Sequence, residues 1–298
     1  MSTGRASVYV RRALLMWRLW PLVALVATAC IFESAPPSPT PSPTAARPKF
    51  EITTYMYALQ VKGKIRVGVL DREPPFATTD AGKRAGFEPD LARELAKAIF
   101  GAQRDPDGVV EWISLDRSTS ISALTSGQAD VVLARAPVRA DTPVDFSEAY
   151  FVTGERVLVT KANDEIKDVS DLDTKTVCVT TEASAAHVDD ASPSAKTLQL
   201  DTYASCLGAL KAGQVDAIAA DEAVLWGLMK QDADTKIVGK NVTTERYAIG
   251  MKKSESGDRN GLLPFVNAWL GGAIRDGTWG RLYAQDVAPL SGERKTAP

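Results

Sequence analysis

Apolar and polar residues are arranged in the same way in two places along this chain. Residues 121–135 read I-S-A-L-T-S-G-Q-A-D-V-V-L-A-R and residues 207–221 read L-G-A-L-K-A-G-Q-V-D-A-I-A-A-D, with Ala123, Leu124, Gly127, Gln128, Asp130 and Ala134 matched by Ala209, Leu210, Gly213, Gln214, Asp216 and Ala220. In each copy Ala and Leu carry a last helical turn, glycine supplies a left-handed C-terminal position, and a short apolar run follows as a buried strand. One helix-strand unit is therefore used twice, which predicts an α/β fold. The two copies end on Arg135 and Asp221, with Arg139 four residues further on. The carboxyl ends of strands in open α/β sheets face the ligand crevice, so two such lobes would set a cation against an anion, an arrangement suited to a zwitterion.

Other segments fill in the two lobes. Lys64-Ile65-Arg66-Val67-Gly68-Val69-Leu70 is a β-branched run that predicts a parallel strand, followed by the loop Asp71-Arg72-Glu73-Pro74-Pro75-Phe76, whose prolines hold the neighbouring side chains rigidly. Leu91, Leu95 and Ile99 share a helical face, and strands are predicted at 109–113, 155–160, around Cys178, at 197–200 and at 245–251. A helix is predicted over 223–231. Leu262, Val266, Trp269, Leu270 and Ile274 predict a last helix packed on the first lobe.

The chain has 298 residues and a formal net charge of −2, and its first 29 residues contain four arginines and no acid. The acidic remainder gives no sign of a nucleic-acid partner. Arg11, Arg12 and Arg18 precede an apolar run, Leu19 to Ala29, that is too short to span a bilayer and suits a signal peptide. Ala27-Thr28-Ala29-Cys30 resembles a lipobox, so Cys30 is the expected lipidated N-terminus; an uncleaved anchor is the alternative. Proline-rich sequence after it reads as a solvated spacer. The expected organisation is signal peptide 1–29, lipidated cysteine and spacer 30–60, first lobe 61–154, second lobe 155–247, return to the first lobe 248–286 and a tail 287–298. The location expected is the extracellular face of the cell membrane.

Two cysteines remain, Cys178 in a predicted strand and Cys206 on the helix of the second repeat copy. An even pair in an oxidising compartment is expected to form a disulfide, with two buried free thiols as the alternative.

K-I-R-V-G-V-L followed by P-P-F, then G-F-E-P-D-L-A-R-E-L-A, the two repeat copies, V-D-F-S-E-A-Y, R-Y-A-I-G-M and D-G-T-W-G-R-L-Y occur in this order between Val61 and Tyr283. In that order they resemble the extracellular solute-binding proteins, family 3, of polar amino-acid ABC importers. The paired cysteines look like those of actinobacterial glutamate- and glutamine-binding lipoproteins. The resemblance implies a type II periplasmic-binding-protein fold, two lobes joined by two hinge strands. Arg139 would grip the ligand's α-carboxylate and Asp221 its ammonium, and a guanidinium fork holds a carboxylate bidentately. Thr180 to Ser184, at a helix N-terminus, would offer amide N–H groups. Arg72, Phe76, Arg117 and Arg135 complete the expected cleft. The chain departs from the family in the shortened Ala136-Pro137-Val138-Arg139 stretch, in Glu182-Ala183-Ser184 where glycine and threonine are usual, and in Glu73 and Arg117 where aromatics commonly stack.

The function expected is capture of a polar, acidic amino acid for an ABC permease by a monomeric, membrane-anchored protein; a sensor reporting to a membrane partner is the alternative. Because the fold also hosts dehydratases and wall-cleaving lyases, an enzyme is a remote third reading. No metal-ligand spacing, serine elbow or phosphate loop occurs. No cofactor or metal is expected, and His187 reads as a surface or packing residue.

Overall fold

Each lobe is built on a five-stranded sheet, and the two sheets follow the same plan. The computed structural model describes residues 47–116, 118–134, 143–253, 257 and 259–298. In the first lobe the strands are β1 (Ile65–Leu70), β5 (Val110–Leu115), β6 (Val131–Leu133), β7 (Val144–Thr153) and β13 (Glu245–Lys252), ordered β5-β1-β6-β13-β7. The second lobe has β8 (Glu155–Thr160), β9 (Thr176–Val179), β10 (Lys196–Gln199), β11 (Ala217–Asp221) and β12 (Thr235–Val238), ordered β10-β9-β11-β8-β12. Three parallel strands are followed by antiparallel ones in both. A small antiparallel sheet, β2 (Arg72–Glu73), β3 (Ala77–Asp80) and β4 (Lys83–Ala85), follows β1 and is not signalled by any apolar pattern.

The helices are α1 (Tyr55–Lys62), α2 (Phe87–Phe100), α3 (Pro106–Val109), α4 (Ser120–Thr125), α5 (Glu182–Ala191), α6 (Tyr203–Lys211), α7 (Glu222–Gln231), α8 (Leu262–Arg275), α9 (Thr278–Leu282) and α10 (Ala288–Ser291). Leu91, Leu95 and Ile99 of α2 are all fully buried, as their spacing predicts, and Val266 and Leu270 of α8 seat that helix on the first-lobe core. Apolar clusters cover both faces of each sheet.

The structure explains the repeat. Gly127 and Gly213 adopt φ of 74° and 68°, the left-handed region that glycine enters without a Cβ penalty, and so turn the chain from α4 into β6 and from α6 into β11. The aspartates serve the neighbouring strand. Asp130 donates its N–H to the Arg66 carbonyl at 2.9 Å and accepts from the Arg66 N–H at 2.8 Å, and Asp216 makes the same pair of bonds with Thr176 at 2.8 and 2.8 Å. Each aspartate thereby sets the register at which the next parallel strand starts. Asp130, almost fully buried, also accepts from Tyr55 Oη at 2.6 Å and binds Arg66 and Arg259, so its charge is compensated.

The packed part of the chain begins earlier than the 60/61 boundary expected for the spacer. Tyr55, Met56 and Leu59 of α1 are buried in the first-lobe core, and Phe50 packs edge-on against Phe265 at 5.3 Å. Among the described residues no helix is long and apolar enough to cross a membrane.

The lobes are joined where β7 passes into β8 and where the chain returns into β13. Gly154 occupies the first crossing, and a Cβ there would run into the carbonyl oxygen of Thr243 on the second. Glycine is needed because the two backbones touch. Around this crossing Phe76, Phe151, Trp226 and Tyr247 form a buried aromatic group, in which Phe76 and Trp226 stack with planes 9° apart. Trp226 of α7 thus keys the second lobe into the core of the first.

A π-helical turn, Tyr283–Val287, places Asp286 beside Asp90, and burial together with that like charge raises the Asp286 carboxyl to about 6 from 3.8. The folded-state value lies above the unfolded one, so the neutral carboxyl's contribution to stability is complete below pH 3.8 and is lost as the pH rises through about 6. Asp286→Asn should therefore melt several degrees higher than the parent at pH 7.5, with the difference vanishing near pH 4. Calorimetric melting at both pH values checks this.

Candidate functional site

On the first lobe, the carboxyl ends of β1 and β5 open into a cavity of about 650 Å³ lined by Leu70, Asp71, Arg72, Glu73, Leu115, Asp116 and Ser118. A volume of this order suits a small molecule, and the lining is mainly polar and charged. Asp71 is held by Arg84, whose buried guanidinium is pushed below its ordinary pKa by desolvation. Arg72 is exposed, with no ion-pair partner among the described residues, and Asp116 bonds through its backbone to Thr119.

On the second lobe, Asp221 stands where β11 ends and α7 begins. Its carboxylate caps the helix by accepting the Ala223 N–H at 2.8 Å, takes a hydrogen bond from Tyr247 Oη at 2.5 Å, and lies 3.4 Å from Thr153 Oγ1. Aspartate is a favoured N-cap, which is why β11 can pass into α7 without a loop. All the donors on Asp221 are neutral. It is half-buried, so it keeps acceptor capacity for a cation.

The loop after β9 reaches the N-terminus of α5. Thr181 is its N-cap and accepts the Ser184 N–H at 3.1 Å, and its hydroxyl donates to Ser184 Oγ at 3.1 Å. Ser184 was expected to offer its amide to a ligand; that N–H is spent on the cap. The amides of Glu182 and Ala183 are left without acceptors among the described residues, and they carry the positive end of the helix dipole. Thr180 is half-buried at the end of the strand.

Phe76 was expected at the ligand, and here the structure corrects the sequence reading. It is fully buried against Phe87, Phe151, Trp226 and Tyr247, because the small β2-β3-β4 sheet folds the Pro74-Pro75 loop inward over the hinge. Arg117, Arg135, Arg139 and Cys30 lie outside the described residues. Cys178 and Cys206 are bonded, with Cα atoms 5.6 Å apart.

Residues 65–285 match the bacterial extracellular solute-binding proteins, family 3. The chain belongs to that family. It is 30% identical over 250 residues to a glutamine-binding protein of Geobacillus stearothermophilus, covering 80% of this chain and 94% of the relative. The glutamate-binding protein GluB of Corynebacterium glutamicum is 28% identical over 236 residues, 76% of this chain and 79% of that protein. A solved structure of an ancestral arginine-binding protein bound to arginine superposes with a TM-score of 0.58 at 35% identity, over 76% of this chain and 98% of that one. The architecture of this family-3 protein is the type II periplasmic-binding fold.

One pair in this family-3 protein was not foreseen. Glu155, the first residue of β8, is buried and its Oε2 lies 2.5 Å from His187 Nδ1. His187 is thus tethered, not merely packed. The alternation of Glu155 with the inward-facing Val157 and Val159 was the available signal, but a single charged residue at a strand end gives no hint of its partner 32 positions away.

Proposed function

We propose that this protein is a lipid-anchored extracellular solute-binding protein that captures a polar, acidic amino acid and delivers it to an ABC importer. Asp221 carries the reading: an ionisable acid at the carboxyl end of a parallel strand, held by neutral donors alone, suits the α-ammonium of an amino acid. The names of the relatives, glutamine- and glutamate-binding proteins, support the ligand class. Arg72 on the wall of the first-lobe cavity supports an acidic side chain over an amide, since an arginine paired in a closed cleft loses more when its partner's charge is removed than when it faces water. The ligand would be contacted from both lobes and shift an open ensemble toward a closed one.

Calorimetry with aspartate, glutamate, asparagine and glutamine tests this. Saturable binding with the two acids ahead of the two amides is expected; heats indistinguishable from dilution for all four would overturn the reading. The mass of the exported protein should show a diacylated Cys30, and an unmodified thiol there would remove the anchor.

A further inference from the structure

Beyond α10 the chain alternates as a strand does without belonging to either sheet. Gly292, with φ of 67°, ends α10 and turns the chain; from there Glu293, Lys295 and Ala297 are partly buried while Arg294, Thr296 and Pro298 are exposed. The inward-facing residues attach this segment to both lobes. On the first-lobe side, Tyr283 Oη donates to the Glu293 carbonyl at 3.0 Å, Ser291 Oγ accepts the Glu293 N–H at 3.2 Å, and Ala297 packs on the core. On the second-lobe side, the Glu293 carboxylate pairs with Arg156 of β8 at 2.6 Å, and the Lys295 ammonium forms an ion pair with Glu222 Oε1 at the start of α7. The same ammonium donates to the Val152 carbonyl of β7 at 3.4 Å and lies over the rings of Phe151 and Trp226, 5.4 and 5.5 Å from their centroids. Phe151 belongs to the first lobe and Trp226 to the second, so one lysine touches both.

These contacts differ from exposed surface ion pairs, which contribute little. Glu222 is only 1% exposed, and the side chains of Arg156 and Lys295 are 12% and 19% exposed. Arg156 also reaches Glu222 Oε2 at 3.3 Å, so Arg156, Glu222, Glu293 and Lys295 form one network of two cations and two acids. Pulling the segment away separates two of those pairs and leaves a buried carboxylate with one shared cation.

We propose that residues 293–298 are a strap, a third connection between the lobes besides the two covalent crossings, and that it restricts their relative motion. The covalent crossings touch at Gly154, and the Glu222 N–H bonds to the Gly154 carbonyl at 2.9 Å. A pivot that narrow leaves the lobes free to twist as well as to bend. The strap removes part of that freedom, because twisting α7 and β8 away from the first lobe draws Glu222 from Lys295 and Arg156 from Glu293. Its effect needs no contact with a ligand and does not depend on which solute is bound: it sets the range of lobe angles from which any ligand selects.

The test is the distribution of distances between two spin labels in the ligand-free full chain. The labels are attached through bio-orthogonal side chains in place of Gln103 on the first lobe and Lys196 on the second, both exposed. Ending the chain at Gly292 should broaden the distribution about twofold, with melting curves as a check on folding. Glu222→Gln/Lys295→Met removes one ion pair without leaving a buried charge, and should broaden it by less. Arg156→Gln/Glu293→Gln removes the other pair in the same balanced way and should act in the same direction. Arg294→Ala, on the outward face of the segment, should leave the parent distribution unchanged. A chain ended at Gly292 that folds and keeps the parent width overturns the strap, whether or not its melting temperature falls, since the contacts would then serve stability alone. Arg294→Ala broadening the distribution as much as the double variants also overturns it. Should the shortened chain not fold, the two double variants carry the comparison, and parent-like widths in both overturn the proposal.

Discussion

Asp221→Asn should abolish high-affinity amino-acid binding and leave the fold intact. Asparagine caps helices as well as aspartate does, so the bond to the Ala223 N–H and the start of α7 survive, and the amide oxygen can still accept from Tyr247. What is lost is the charge. A ligand ammonium closed into the cleft against a neutral amide is left uncompensated, at about 2 to 5 kcal/mol, which corresponds to between roughly 30-fold and several thousand-fold in Kd. Calorimetric titration with glutamate reads the loss, and a melting temperature within a few degrees of the parent shows that it is not unfolding. Undiminished affinity would place the ammonium site on another acid.

Cys178→Ala/Cys206→Ala should be the most destabilising change considered, without altering the ligand preference. The bond ties β9 to α6 across a separation of 28 residues, and both cysteines are fully buried in the second-lobe core. The chain-entropy model assigns a loop of that length about 3 to 4 kcal/mol. For a domain of this size the melting temperature should fall by roughly 6 to 15 °C, and the parent in strong reductant should fall by a similar amount. A drop of about two degrees or less in both would show that apolar packing alone holds α6 on its sheet.

Much of the fold could be read before any coordinates, and the repeat shows why. Gly127 and Gly213 end helices because their conformation is local, and Val131 to Leu133 and Ala217 to Ala220 are strands because short apolar runs bounded by such glycines have little else to become. The four-residue spacing of apolar positions in α2 and α8 and the alternation in β13 are equally local. Asp221 could be placed at a strand end on the same grounds. An even pair of cysteines, one on a strand and one on the helix of the second repeat copy, made the disulfide an expectation that the structure bears out.

The long-range polar pairs were not legible. Asp130 with Arg259, Glu155 with His187 and Glu222 with Lys295 join residues 129, 32 and 73 positions apart, and nothing in the neighbourhood of one member marks the other. Nor was the burial of Phe76, which stands beside two prolines in a loop expected to face the ligand; its environment depends on Trp226 of the other lobe. By itself the sequence determined many of the elements, their use in two equivalent lobes and the strand ends where a ligand would be met, because helix ends, strand alternation and glycine conformations are settled within a few residues. Only the tertiary structure decided which partner each buried acid meets and which side chains are covered, because burial and ion pairing arise where distant segments converge, and at the hinge five of them do: β7, β8, β13, α7 and the segment carrying Lys295.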